Sequence, residues 1–267
     1  MFTRLTDRSV LALSGPDVRK FLQGLITNDV KLLTPEHALY AAMLTGQGKI
    51  LYDFLVVDDG ETVLLDCDAT AAEPLAKRLA MYRLRAKVDI APRPDLVVLA
   101  AWDGSTLPGL VFDDPRLPAL GRRAIAPAEL GQEGADSDTY VAHRLALGVP
   151  QSGDFGSDAI YALDAGFEEL HGVSFTKGCY VGQELTARMK HRGTARKRVL
   201  PVRAGAALPA LGTAITANGK SVGELTAVYG DAGFALIRLD RLEEAGDAAL
   251  GIGGMAVTLT RPEWLGG

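Results

Sequence analysis

Cysteine is scarce in this chain. Among 267 residues there are two, Cys67 and Cys179, too few for a disulfide framework and in keeping with a reducing compartment. Two thiols also fall short of the four thiolates that usually hold an iron–sulfur cluster, so the chain alone makes a poor cluster carrier. Histidine is almost as rare. His37, His143, His171 and His191 show no metal-ligand spacing, and no resident metal is expected. Aromatic residues make up 6% of the chain and none lies between Val181 and Leu200, which argues against stacking on single-stranded RNA. No segment has the ~18 uninterrupted apolar residues of a membrane helix, and Met1–Arg8 contains no apolar signal core. A cytoplasmic protein without membrane contact is therefore expected. A hydrolase nucleophile elbow, a Walker loop and a dinucleotide glycine fingerprint are missing too.

What is present is an ordinary globular composition, 48% hydrophobic and 23% charged, with enough length for one large domain or two to three small ones. Charge is unevenly spread. From Lys177 to Arg198, seven Lys or Arg face one acid, so this stretch carries +6 of a chain whose net charge is −5, leaving −11 for the remainder. Such a strip is either a solvated helix face or a site for an anion, with a polyglutamyl tail, a phosphate and RNA as candidates.

The first ninety or so residues read as mixed α and β. Ser14 and Pro16 open a helix with Val18, Phe21, Leu22 and Leu25 on one face. Strands are expected at 39–44 and 50–57 around the turn Gly46-Gln47-Gly48, a third strand at 62–66, and a helix at 71–82 with Leu75, Leu79 and Tyr82 inward. The economical arrangement is a three-stranded sheet with helices on one face. A strand at 96–102 precedes a Gly/Pro/Asp-rich loop at 103–118, and a short helix at 140–147 ends at Gly148. After residue 198 the pattern becomes all β, with strands at 199–203, 213–217, 221–228, 234–239 and 255–260. Asn218-Gly219 is a hairpin signal, and Gly251-Ile252-Gly253-Gly254 reads as a turn. Five short strands without a helix suggest a small closed barrel. The expected division is 1–95, 96–198 and 199–267.

One octet stands out: Lys177-Gly178-Cys179-Tyr180-Val181-Gly182-Gln183-Glu184. It sets a cysteine between Gly178 and Gly182, just ahead of an amphipathic helix running through Leu185, Arg188, Met189 and Arg192 to a glycine stop at Gly193. Unpaired N–H groups at a helix start, together with Lys177, favour negative charge on the thiol, and glycines let a backbone approach a ligand. A buried structural cysteine is the alternative. Glu184 and Arg188, four apart, are spaced to pair on the helix. Tyr180 either stacks on a ring or fills the core.

The octet, continued by Leu185–Arg198, resembles the signature of the YgfZ-type folate-binding proteins, relatives of the glycine-cleavage aminomethyltransferases that act in iron–sulfur protein maturation. Phe21–Val30 (FLQGLITNDV), Leu44–Ile50 (LTGQGKI) and Tyr82–Val88 (YRLRAKV) resemble the same family in the same order. The resemblance implies an α+β aminomethyltransferase-like fold with a small C-terminal β-barrel, tetrahydrofolate as ligand, and iron–sulfur assembly proteins and [4Fe–4S] enzymes as partners. It implies Cys179 and Lys177 as working groups, and Asp53, Tyr180, Gly178, Gly182, Gln183, Glu184, Arg188, Arg192 and Arg196 as folate-binding positions. Folate recognition needs a carboxylate for the pterin's donor edge, an apolar slot and cations for the glutamyl tail. Asp53, an acid in an apolar strand, best matches the functional aspartate of aminomethyltransferases; a water-exposed position is its alternative. The chain departs from the family pattern at Ala162, Asp164 and Gly166, where proline, glutamate and asparagine are usual, and at Ala146, where aminomethyltransferases carry a glutamate. That last loss argues against aminomethyl transfer. A one-carbon transferase and an RNA-binding accessory factor in tRNA modification are the competing functions.

Overall fold

The computed structural model describes residues 2–131, 136–193 and 196–266. Strand β1 (Thr3–Arg4) and strand β2 (Arg8–Ser14) precede helix α1 (Val18–Gln23), then come β3 (Leu39–Leu44), β4 (Ile50–Asp58), β5 (Val63–Asp68), α2 (Ala72–Arg83) and β6 (Asp89–Pro92). Next are β7 (Leu96–Ala101), β8 (Leu110–Asp113), β9 (Arg122–Pro127), α3 (Ser137–Ala146), α4 (Ser152–Phe155) and α5 (Gln183–Arg192). The last part holds β10 (Lys197–Ala204), β11 (Ala214–Ala217), β12 (Lys220–Tyr229), β13 (Ala232–Arg238), α6 (Leu239–Ala245), β14 (Leu250–Ile252) and β15 (Met255–Leu259). They form an antiparallel five-stranded sheet β3-β4-β5-β2-β6, a four-stranded sheet β1-β7-β9-β8 and a closed barrel β10-β13-β12-β11-β14-β15.

The sheet of the first ninety residues has two more strands than the sequence suggested. In β2, Leu11 and Leu13 enter the core under α1 and α2, while Val10 and Ala12 enter the core shared with the second sheet. A strand buried on both faces has no polar alternation to betray it. In α2, Leu75 and Leu79 are buried as expected but Tyr82 is 37% exposed. The last turn, with Met81 and Leu84 also exposed, projects past the core. The loop expected at 103–118 contains β8, which pairs with β9.

The shared core runs from Leu5 through Tyr40, Val98, Tyr140 and Phe167 to Val199 and Phe234, joining both sheets and one side of the barrel. The barrel has six strands rather than five, and α6 intervenes after β13. Leu250–Ile252, of which Gly251 and Ile252 fall in the turn expected from sequence, pairs with both β11 and β15; the turn is Gly253-Gly254, with φ of 55° and 86°. Asn218 and Gly219, at φ 49° and 74°, make the left-handed two-residue turn that matches strand twist between β11 and β12. Among the described residues no helix is long and apolar enough to cross a membrane.

Candidate functional site around Cys179

The cysteine loop is built by the N-terminal segment Ile26–Asn28. Thr27 Oγ1 donates to Gly172 O at 2.6 Å and accepts from Ala42 N at 2.8 Å, while Ser174 N donates to Thr27 O at 3.0 Å. Asn28 Nδ2 donates to Tyr40 O (2.8 Å) and His171 O (2.7 Å). Lys177 completes the clamp. Its Nζ donates to Ile26 O and Asn28 O, both at 2.6 Å, and lies 5.0 Å from the centre of the Tyr180 ring. The side chain is buried, and burial pulls its ammonium down to about 8 against the opposing charge of Asp29. Expected as a second working group beside the thiol, Lys177 is instead turned inward and fixes the loop, because the two main-chain carbonyls it satisfies have no solvent of their own.

Two glycines hold the other end. Gly182, at φ 83°, caps α5, and a Cβ there would lie 2.5 Å from Thr45 O and 2.8 Å from Leu44 Cβ. Gly48 meets it from the β3–β4 turn: a Cβ on Gly48 would lie 3.2 Å from Gly182 O. The octet thus packs directly against Leu44–Ile50. Gly178 is different, since a Cβ there meets nothing within 4 Å. Gln183 Oε1 accepts from Tyr180 N at 3.3 Å and Gln183 N donates to Tyr180 O at 3.2 Å, so these two lock the turn. Tyr180 fills the core, and burial pushes its hydroxyl up to about 12.

With its neighbours fixed, Cys179 is exposed. It borders a cleft of about 710 Å³ lined also by Arg19, Lys20, Gln23, Gly24 and Lys31. Helix α5 starts at Gln183, four residues on, so the thiol sits in the approach loop rather than in the first helical turn. Cys67 contrasts with it: the thiol is buried in β5, lies 3.6 Å from Ser9 O, and is pushed up to about 12 by burial.

The basic strip is mostly occupied. Arg188 pairs with Glu184 at 2.9 Å, the helix-supporting pair the spacing suggested. Lys190 pairs with Glu168, and Arg198 with Glu169 at 2.8 Å and with Leu163 O. Arg192 and Arg196 are exposed and, among the described residues, without an ion-pair partner. These positions line α5 and the start of β10 and do not converge with Asp53.

Asp53 lies inside, 2% exposed. Its carboxylate accepts from Tyr40 Oη at 2.9 Å, Ser152 N at 2.9 Å and Ser152 Oγ. Neither a pterin partner nor a water-exposed acid describes it: a pterin edge would have to displace α4 and Tyr40. Tetrahydrofolate, which the fold family implies, does not fit at this carboxylate as the side chains stand. Beside it runs a buried ionic chain. Arg8 and Arg123 hold Asp66, each at 2.6 Å; Arg123 and Arg116 hold Asp114 at 3.0 and 2.6 Å; and both of these guanidiniums donate to Tyr140 Oη. Burial alone would raise the Asp114 carboxyl, but Arg116 and then Arg123 outweigh it and hold it at about 2. Ala146, at the end of α3, is exposed. Gly166, at φ 77°, has no room for the usual asparagine, since a Cβ would lie 2.7 Å from the Trp264 ring. Among the described residues no three of His, Cys, Asp and Glu converge as a metal site.

Comparison with known proteins matches this architecture. Residues 196–267 match the model of the CAF17 C-terminal beta-barrel domain. The human mitochondrial iron–sulfur cluster assembly factor IBA57 is 35% identical, over 90% of this chain and 78% of its own length. Its mouse counterpart is 33% identical, over 98% of this chain and 84% of its own. The chain belongs to the IBA57 family of iron–sulfur cluster assembly factors. Among solved structures, glycine cleavage system aminomethyltransferase T from Bartonella henselae superposes with a TM-score of 0.77 over 98% of this chain and 85% of its own, at 15% identity, which establishes the aminomethyltransferase fold alone. The family name the relatives carry is IBA57 rather than YgfZ. They also overturn the cytoplasmic location: these relatives are mitochondrial. Scarce, unpaired cysteines indicate a reducing compartment, and that property does not separate cytosol from mitochondrial matrix.

Sequence reasoning missed the clamp and the cleft. Thr27 and Asn28 lay inside a recognised motif, but their contacts span about 145 residues of sequence, and Arg19, Lys20 and Lys31 carried no signal beyond being charged.

Proposed function

We propose that this protein assists the maturation of [4Fe–4S] proteins and that the Cys179 thiol is its working group. One observation carries the reading. Lys177, Tyr180, Gly182 and Gln183 hold the loop, whereas the Cys179 thiol itself is exposed at a cleft lined by Arg19, Lys20 and Lys31. Such a rigid frame around a free soft donor suits transient ligation of iron, and the cations of the cleft favour anionic species beside it. A single thiol supplies one of the roughly four ligands a cluster usually takes. The others come from a partner, which makes the protein an accessory to assembly rather than a carrier. The Asp53 carboxylate is taken up by Tyr40 and Ser152, so no step is routed through tetrahydrofolate there. The test is removal of the protein from cells: activity of [4Fe–4S] enzymes should fall and return when the chain is restored, and undiminished activity would refute the reading.

A further inference from the structure

The end of α2 carries apolar side chains that the fold does not use. Residues 80–85 are all exposed, Met81 at 68% and Leu84 at 90%, with Tyr82 between them. Leu84 caps the helix at φ 44°, in the region that favours glycine. A leucine there strains the backbone and packs on nothing, so its presence does not serve stability. The turn that presents it is nonetheless firmly anchored. Ala86 N donates to Arg83 O at 2.7 Å, Lys87 N donates to Asp17 Oδ2 at 2.8 Å just ahead of α1, and Val88 is buried. Gly15 meets the same turn so closely that a Cβ on it would lie 2.3 Å from Lys87 O. The tip is therefore a fixed, convex projection rather than a groove.

The charge around it has one sign. Between Pro74 and Val88 stand five cations, Lys77, Arg78, Arg83, Arg85 and Lys87, and no acid, in a chain whose net charge is −5. Lys77 pairs with Glu73, and Arg83 lies 4.0 Å from Asp89; Arg85 and Lys87 are exposed and, among the described residues, without an ion-pair partner. We infer that this projection docks the protein on an anionic lipid surface. Leu84 and Met81 enter the acyl boundary, Tyr82 lies at headgroup depth, where an apolar ring with a polar tip is favoured, and Arg83, Arg85 and Lys87 meet the lipid phosphates. The convex shape favours lipid over a protein partner, since a bilayer yields around a protruding leucine whereas a protein would have to offer a matching pocket. The expectation of no membrane contact came from the lack of a spanning segment, and a surface contact needs none. With three apolar side chains the attachment is weak and reversible, and it depends on charge as much as on burial.

Flotation of the full chain with lipid vesicles is the test. Vesicles of phosphatidylcholine with about one-third phosphatidylglycerol should carry the protein at low salt, and phosphatidylcholine alone should bind it at least about tenfold more weakly. Leu84→Gly relieves the backbone and removes the wedge, so it should leave thermal unfolding unchanged or raised while weakening vesicle binding at least about tenfold. Arg83→Gln with Arg85→Gln should weaken binding by a similar factor. Lys220→Gln with Arg241→Gln, which removes the same charge from exposed positions on the barrel, should change it less than about twofold. No binding to the anionic vesicles, equal losses from the two double variants, or binding that survives Leu84→Gly would each overturn the inference. Lowered stability of Leu84→Gly would overturn it too, by showing that Leu84 serves the fold. If the parent ignores vesicles while Leu84→Gly fails to restore [4Fe–4S] enzyme activity in deficient cells, the surface belongs to a protein partner and the lipid assignment is wrong.

Discussion

The space between the two sheets and the Cys179 loop are both rich in charge, and they use it in opposite ways. Between the sheets, Arg8, Arg116 and Arg123 face Asp66 and Asp114, and Tyr40 and Ser152 saturate Asp53; almost every donor and acceptor has a partner within 3.2 Å. At the loop, Lys177 is the one buried charge of the octet, and it holds the chain, while the thiol, Lys20 and Lys31 face water and Arg19 pairs with Asp58. The sequence resemblance pointed to Asp53, in the first region, as a ligand position. Here its polar groups are consumed by one another, so it behaves as a polar core, and chemistry is left to groups that the fold does not need.

The largest expected effect comes from breaking the interior. Asp66→Ala removes the carboxylate shared by Arg8 and Arg123, which strands the buried Arg8 guanidinium and leaves Arg123 with Asp114 and Tyr140 only, so unfolding in urea should show a loss of about 3–5 kcal/mol. A loss below about 1 kcal/mol would mean that water reaches this region and that it is a site rather than a core. The same network sets an acid limit. Asp114 is held at about 2 in the folded chain, below its ordinary unfolded value near 3.9, so its contribution is complete above about pH 4 and disappears as pH falls toward 2. Stability measured from pH 5 to 2 should decline over that window.

Lys177→Met should cost about 2 kcal/mol, because Ile26 O and Asn28 O lose a charged donor. Hydrogen exchange should rise in residues 173–182 before it rises in the barrel. A variant with unchanged exchange would return Lys177 to the list of working groups.

Asp164→Asn should act in the opposite direction. Asp164 is held at about 6 in the folded state, above its unfolded value, so the folded chain binds the extra proton and the ionised acid destabilises it above about pH 6. The variant should therefore be more stable than the parent at pH 7.5, by roughly 1–2 kcal/mol, and the difference should vanish below about pH 4. A parent that is the more stable at pH 7.5 would mean that Asp164 has a partner within the fold. Smallest of all is Cys179→Ser, for which thermal unfolding should move by less than about 0.5 kcal/mol, as for an exposed side chain without packing.

Much of this was legible in the sequence. The β3–β4 hairpin, α5 with both its glycine ends, and the Asn218-Gly219 turn followed from local patterns, since hydrophobic period and turn chemistry are properties of neighbouring residues. Strands β2 and β6 and the sixth barrel strand did not: β2 is buried on both faces, β6 is four residues long with Pro92 at its end, and β14 is three residues among glycines. At the site, the octet drew attention to Cys179, which the structure leaves exposed, but no local pattern tells an inward lysine from an outward one, or a satisfied aspartate from a free one. Lys177 and Asp53 differ only in partners at least 13 residues away, beyond the reach of any local pattern. The tyrosine that saturates Asp53 lies one strand over, at Tyr40, and the serine comes from α4.

The account rests on the claim that work is done at the exposed thiol and not between the sheets. Cells lacking the protein, supplied with either the parent chain or Cys179→Ser at equal steady-state level, test it through the activity of a [4Fe–4S] enzyme. The parent should restore that activity and Cys179→Ser should leave it near the deficient level despite unaltered folding, because a serine hydroxyl is a hard, un-ionised donor at neutral pH and a poor ligand for iron. Full restoration by Cys179→Ser would contradict the account and leave the thiol without a function.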